Sequence, residues 1–258
     1  MSRITKIIAL SGLILISGFS LQAQQTNRFD KKVFTDSQGH SLLYRILSPD
    51  YNLSRKYPLV IFLHGSGERG NDNTAQLKWG VMQFATDRAM SEHPAIVIAP
   101  QCPAGQTWAN LRPDKNGKME MSAQPTLPMK LVMELVKKLI KVLPVDTTRI
   151  YITGLSMGGF GTYDAIERYP NFFAAAVPVC GGGDVSKAPL FAHMPLWIFH
   201  GADDPVVPVQ FDYNMAQALI KAGGHPGLTI LPGVGHFSWV AAYSDQLMMN
   251  WLFDQRKK

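Results

Sequence analysis

The chain has 258 residues, of which 46% are hydrophobic and 17% charged, and its formal net charge is +6. That apolar fraction is ordinary for a globular domain and excludes a disordered chain, and two cysteines are too few for a disulfide framework or a four-thiolate zinc site. The excess of base alone would fit a binder of nucleic acid or anionic lipid, so its distribution along the chain has to be read.

At the N-terminus, Arg3 and Lys6 precede an apolar run from Ile7 to Phe19, followed by Leu21-Gln22-Ala23. A basic start, a short apolar run and a small residue at the end describe a secretory signal peptide over residues 1–23. The run is well short of the ~20 residues that span a bilayer, and no cysteine stands nearby to carry a lipid. No later run approaches spanning length. Residues 24–258 are therefore expected to form one exported domain, periplasmic or extracellular, without stable membrane insertion. The leader takes two basic residues and no acid with it, and no basic cluster is left, so nucleic acid is not an expected partner.

In chain order, residues 32–34 and 42–47 read as an antiparallel pair at a sheet edge. Apolar, β-branched runs follow at residues 59–63, 95–99, 149–153, 174–179, 196–199 and 228–231. Near-continuous apolar runs bounded by Gly and Pro mark strands buried on both faces. Helical patterns lie between them, near residues 74–90, 128–142, 158–169, 208–222 and 238–253. In the second of these, Leu131, Leu135, Val136 and Leu139 share one face, and Lys130, Lys137, Lys138 and Lys141 lie largely on the other. Strand–helix alternation predicts an α/β fold, a mostly parallel sheet of about eight strands with helices on both faces. In such sheets ligands bind beyond the carboxyl ends of the strands.

The chemistry sits at those ends. After the strand ending at Thr153 comes Gly154-Leu155-Ser156-Met157-Gly158-Gly159, a G-x-S-x-G sequence between a strand and a helix. Small residues are needed on both sides, because a Cβ at Gly154 or Gly158 would collide with neighbouring backbone while the sharp turn lifts the Ser156 hydroxyl above the sheet. After the strand ending at Phe199 comes His200-Gly201-Ala202-Asp203-Asp204-Pro205-Val206-Val207-Pro208, which offers a carboxylate to orient a histidine. After the strand ending at Leu231 comes Gly233-Val234-Gly235-His236-Phe237, where a histidine on a Gly-rich turn can reach the serine as general base. The order Ser, Asp, His is that of an α/β-hydrolase.

With the segment Leu63-His64-Gly65-Ser66-Gly67-Glu68-Arg69-Gly70, these motifs resemble the α/β-hydrolase superfamily over roughly residues 55–250. They are most similar to secreted carboxylesterases related to polyhydroxybutyrate depolymerases and to feruloyl and acetylxylan esterases. The resemblance implies that the acid is the fifth residue of H-G-x-x-D-x-x-V-P, Asp204 and not Asp203. It implies Ser156 as nucleophile, His236 as base, and an oxyanion hole of two backbone N–H groups, those of Met157 and Ser66. His64 and His200 then brace loops. Glu68 and Arg69 form either an ion pair or a solvated pair, and Cys102 and Cys180 either a disulfide or two free thiols. No two of the seven histidines stand at H-x-x-x-H spacing, so neither a metal nor another cofactor is expected.

Residues 181–194 leave no room for the helical cap that members of this fold insert after the sixth strand. The longest irregular stretch, residues 101–127, contains Trp108, which either lines the substrate cleft or packs beneath the loop. Trp239 either flanks the site or packs against the sheet. An open cleft on an exported enzyme suits esters on large molecules, such as acyl or feruloyl groups on polysaccharides. Thioesterase, phospholipase-type acyl hydrolase or prolyl-oligopeptidase-like peptidase chemistry would use the same array. A catalytically dead binding module would normally have lost Ser156 or His236.

Overall fold

The computed structural model describes residues 28–50, 52, 54–114 and 118–257, so the leader predicted over residues 1–23 lies outside the described residues. Eight strands form one sheet. They are β1 (Phe29–Thr35), β2 (Ser41–Leu47), β3 (Tyr57–Leu63), β4 (Ile96–Pro100), β7 (Val145–Leu155), β8 (Ala175–Val179), β9 (Trp197–Gly201) and β10 (Gly227–Leu231). Across the sheet their order is β1-β2-β4-β3-β7-β8-β9-β10. β1 and β4 each run antiparallel to β2, and every other pairing is parallel. The protein thus has the α/β-hydrolase fold expected from its strand–helix alternation. No helix among the described residues is long and apolar enough to cross a membrane.

Both faces of the central strands are covered. β3 is buried along its whole length. Leu59, Ile61 and Leu63 enter one core cluster, Val60 and Phe62 the other, as the two-residue period of a strand requires. Helix α2 (Leu127–Val142) lays the predicted face, Leu131, Leu135, Val136 and Leu139, into the first cluster. Thr126 caps its N-terminus by accepting from the Met129 N–H at 3.2 Å. Further along the chain come α3 (Met157–Arg168), the short α4 (Ala188–Phe191) and α5 (Gln210–Lys221).

Three predicted elements differ. The helix expected over residues 74–90 is two 3₁₀ turns, Ala75–Leu77 and Val81–Ala85, followed by the short α1 (Asp87–Glu92). Gly80 interrupts it at φ 74°, where a Cβ would also strike the Tyr243 ring. The helix expected over residues 238–253 is split into α6 (Trp239–Ser244) and α7 (Gln246–Asp254) by Asp245 in extended conformation, whose side chain caps the second piece. The stretch 101–127 is not wholly irregular. It holds the hairpin β5 (Leu111–Pro113) and β6 (Met119–Met121), strands too short to show alternation in the sequence.

Parallel register brings the functional side chains together. Leu155 lies opposite Val179, and Val179 opposite Phe199. The next residues of the three strands, Ser156, Cys180 and His200, therefore stand in one row at the carboxyl edge. Their neighbours Leu63 and Gly154 are paired on one side, and Gly201 and Leu231 on the other.

Candidate active site

Ser156 occupies the turn between β7 and helix α3, with φ 53° and ψ −116°. A non-glycine residue rarely holds this conformation, and one that does is held by its surroundings. Here the glycines provide the room: a Cβ at Gly158 would fall on the Leu63 carbonyl, and one at Gly154 on the Gly158 carbonyl.

Oγ of Ser156 lies 2.9 Å from Nε2 of His236, and Nδ1 of His236 lies 2.7 Å from Oδ2 of Asp204. The other carboxylate oxygen of Asp204 accepts from the N–H groups of Val206 and Val207 at 2.8 and 2.9 Å. Burial alone would raise the Asp204 pKa, but the bonds from His236, Val207 and Val206 hold the carboxyl below its ordinary value. Asp203 is exposed on the surface of the same loop, and only its backbone N–H turns inward, to the Val234 carbonyl. The structure thus brings Ser156, Asp204 and His236 into one hydrogen-bonded chain and leaves Asp203 outside it.

Met157 opens helix α3, and Ser66 opens a 3₁₀ turn over Ser66–Glu68. The first N–H groups of a helical turn have no acceptor within it, so both are free to point at an anion. Gly65 lets the two segments meet, because a Cβ there would come within 2.8 Å of the Leu155 side chain. A Cβ at Gly67 would meet nothing, so close packing explains Gly65 but not Gly67.

His64 braces the Ser66 loop from below. Its Nδ1 donates to the Gly65 carbonyl at 2.6 Å, and its Nε2 accepts the Cys102 N–H at 2.9 Å. That tautomer is neutral, and burial lowers the His64 pKa to about 4. Arg69 donates to the carbonyls of Ser66 and Gln106, while Glu68 is buried, so Arg69 ties the loop down through backbone rather than through a pair with Glu68.

Trp108 does not line a cleft. It is fully buried, packs edge-on to His64 with ring centroids 5.2 Å apart, and donates to the His64 carbonyl at 3.0 Å. A large apolar ring with one N–H gains most where the ring is dry and the N–H is met, and the underside of this loop provides both. Trp239 is 5% exposed and sets its edge against the His236 ring at 5.1 Å. It backs the histidine and offers little surface to a ligand. Exposed rings at the site are Phe237, 58% exposed, and the partly exposed Trp79, 5.8 Å apart and both packed on Trp239. Adjacency of Phe237 to His236 was the available signal. For Trp79 there was none.

Cys102 and Cys180 are both buried, free thiols. Cys180, at φ 41°, stands behind the array, and its Sγ, with one atom each of Asp204 and His236, lies within a 4.8 Å cluster. The His236 and Asp204 atoms are committed to each other, and burial pushes the thiol up to about 12. That leaves Cys180 as one buried thiol beside two groups already bonded to each other.

A strained serine turn at the end of a central parallel strand, with histidine and aspartate delivered by later strands, defines an α/β-hydrolase. Residues 50–247 match the phospholipase/carboxylesterase family model, and the chain belongs to that family. Among relatives, it is 28% identical over 71% of its length to a bifunctional acetylxylan esterase/xylanase of Neocallimastix patriciarum. It is 30% identical over 67% of its length to a probable feruloyl esterase C of Aspergillus terreus, covering 58% of that protein. Among solved structures, a thermostable esterase superposes with a TM-score of 0.84 at 41% identity, over 90% of this chain and 64% of that one. A ferulic acid esterase at 17% identity, with a TM-score of 0.66 over 87% of this chain and 96% of that one, shares the fold. The chain spans only 24% of the acetylxylan esterase/xylanase. These matches support a serine ester hydrolase.

Proposed function

We propose that the protein is an exported carboxylesterase that works through an acyl-enzyme on Ser156. The observation that carries this reading is the unbroken chain from the Ser156 hydroxyl through His236 to Asp204, at 2.9 and 2.7 Å. Ser156 attacks the ester carbonyl as His236 takes its proton. The Met157 and Ser66 N–H groups receive the oxyanion, and His236 returns the proton to the leaving alcohol. Water then repeats the sequence on the acyl-enzyme. Asp204 fixes the tautomer of His236 and stabilises its cationic form. Export rests on the leader pattern over residues 1–23.

Because His236 delivers the proton to the leaving oxygen, the alcohol must lie on the His236 side of the serine. There Phe237 and Trp79 expose aromatic surface. A flat ring with an apolar face, such as the sugar of an acylated polysaccharide, suits this shelf, in keeping with relatives named for acetylxylan and feruloyl esters. The test is a panel of acetylated and feruloylated xylo-oligosaccharides beside simple methyl and nitrophenyl esters, run on wild type and Ser156→Ala. Wild type should prefer the oligosaccharides, and the variant should lose about 10⁴–10⁶ in turnover. A Ser156→Ala enzyme of normal turnover would overturn the assignment. Hydrolysis of simple esters alone would overturn the substrate class.

A further inference from the structure

Behind Asp204 the hydrogen-bonded chain does not stop. Nε2 of His200 lies 3.3 Å from Oδ2 of Asp204, the oxygen that also receives His236. The same Nε2 is 2.9 Å from the carbonyl oxygen of Val207, and Nδ1 of His200 is 2.6 Å from Oδ2 of Asp212. Oδ1 of Asp212 accepts the Tyr163 hydroxyl at 2.5 Å. His200 and Asp212 are both fully buried. We propose that His200 and Asp212 form a buried ion pair that acts on the reaction through Asp204, with His200 a standing cation behind the acid, so that the pH dependence of catalysis depends on the pair.

The protonation states follow from the partners. A carbonyl oxygen only accepts, so Nε2 of His200 carries a proton. Asp212 is met by the Tyr163 hydroxyl, by Nδ1 of His200 and by the Gly181 N–H. Burial raises the Asp212 pKa, but the Tyr163 hydroxyl and the Gly181 N–H both donate to the carboxyl and favour its ionised form; the 2.6 Å contact with Nδ1 of His200 is then a charge-assisted bond and the ring an imidazolium. Burial opposes the charge on His200, but the bonds to Asp212 and Val207 outweigh it and raise its pKa. A buried ion pair is stable only when its remaining polar atoms are also satisfied, and here both imidazole nitrogens and both Asp212 oxygens have partners.

The surroundings leave this charge unscreened. Facing the pair are Cys180 at the end of β8 and Tyr163 from helix α3, and Glu167 of the same helix stands by Tyr163. Burial raises all three, the Cys180 thiol to about 12 and the Glu167 carboxyl to about 9, so all are neutral at pH 7. The charges left in the row are Asp212, His200 and Asp204, joined by His236 when it takes the serine proton. Signs then alternate along the whole row. In the resting enzyme, the His200–Asp212 dipole points its positive end at Asp204.

The pair also fixes the loop that carries the acid. His200 lies in β9 and Asp212 in the first turn of helix α5, so their bond closes the segment 201–211 around Asp204. Val207 links the two functions, because its carbonyl accepts from His200 while its N–H donates to Asp204. Packing alone would not require a charged pair at this position.

The inference rests on the Ser156–His236–Asp204 reading, and its test separates the two. His200→Gln and Asp212→Asn each remove the ion pair while keeping a hydrogen-bonding side chain of similar size. Folding is checked by circular dichroism, and kcat/KM is measured against pH. The acidic limb should move by about half a pH unit or more in each variant, with the high-pH plateau of His200→Gln within about tenfold of wild type. The double variant should shift no further than the singles, since either change breaks the same pair. An unmoved limb in folded variants overturns the proposal. If the variants do not fold, ¹⁵N NMR of histidine-labelled wild type decides: His200 should show two protonated nitrogens at pH 7, and a neutral ring overturns the proposal. Undiminished activity in Ser156→Ala would instead sink the triad reading and leave the NMR result on His200 intact.

Discussion

The Trp108 indole N–H donates to the His64 carbonyl across 3.0 Å, beneath the loop whose next residues include Ser66. Helix α3 makes room for it at Gly161, where a Cβ would strike the Trp108 side chain. The indole therefore joins the nucleophile's helix to the oxyanion loop. Trp108→Phe keeps a ring but leaves a buried carbonyl unmet, which costs about 1–3 kcal/mol. We expect a lower melting temperature and a kcat that falls more than KM rises, because the Ser66 N–H loses its support only where charge develops. Thermal melts and steady-state kinetics check this, and wild-type kcat in a destabilised variant would show that the loop does not depend on Trp108.

Asp204 and Asp203 are neighbours in sequence with opposite surroundings, one inside the array and one on the surface. Asp204→Asn should hold the wrong tautomer of His236 and lower kcat by roughly 10⁴. Asp203→Asn should stay within a few-fold of wild type. Equal losses in the two would refute the assignment of the acid.

Glu167 is a carboxyl held protonated by burial, with a folded pKa of about 9 against an ordinary value of 4.5. Its Oε1 accepts the Asp184 N–H at 2.7 Å, and its Oε2 has no partner among the described residues. The folded value is raised, so the favourable contribution of this group is complete below pH 4.5 and declines as pH rises toward 9, where the unfolded chain ionises and the folded one does not. Glu167→Gln removes that dependence. The variant should match wild type near pH 4.5 and be the more stable by roughly 2–4 kcal/mol near pH 8. Urea unfolding at the two pH values measures it, and parallel curves would show that Glu167 is ionised in the folded state.

Much of this was readable from the residues. Runs such as 59–63 and 149–153 gave buried parallel strands because a strand covered on both faces is apolar throughout. G-x-S-x-G was legible because the turn at Ser156 tolerates almost nothing else. The Asp204 assignment followed from a family resemblance and not from spacing, since Asp203 was as close in sequence. What could not be read depended on distance in space. The residues leave Trp108 open between the cleft and the underside of the loop, because a long loop gives no sign of which side it packs on. The hairpin β5–β6 has three-residue strands, below the length at which alternation registers. Asp212 did carry a faint signal, a carboxylate at i with Met215, Ala216 and Leu219 at i+3, i+4 and i+7, the buried face of helix α5. Only the structure shows that His200 waits there.

The aromatic shelf gives the most specific consequence of the substrate assignment. Trp239 is buried against His236, whereas Phe237 is largely exposed and Trp79 partly so. A sugar ring laid on this surface would bury apolar area that a methyl leaving group cannot reach. Trp79→Ala and Phe237→Ala should therefore lower kcat/KM for feruloylated or acetylated oligosaccharides by about tenfold, equivalent to about 1.4 kcal/mol, mostly through KM. Turnover of the matching methyl esters should hold within a few-fold, because Ser156, His236 and Asp204 are untouched. Competition between the two substrate types in one reaction removes differences in enzyme concentration from the comparison. A loss of equal size on both would place the rings on the acyl side or in support of His236, and no loss on either would remove the shelf from substrate binding.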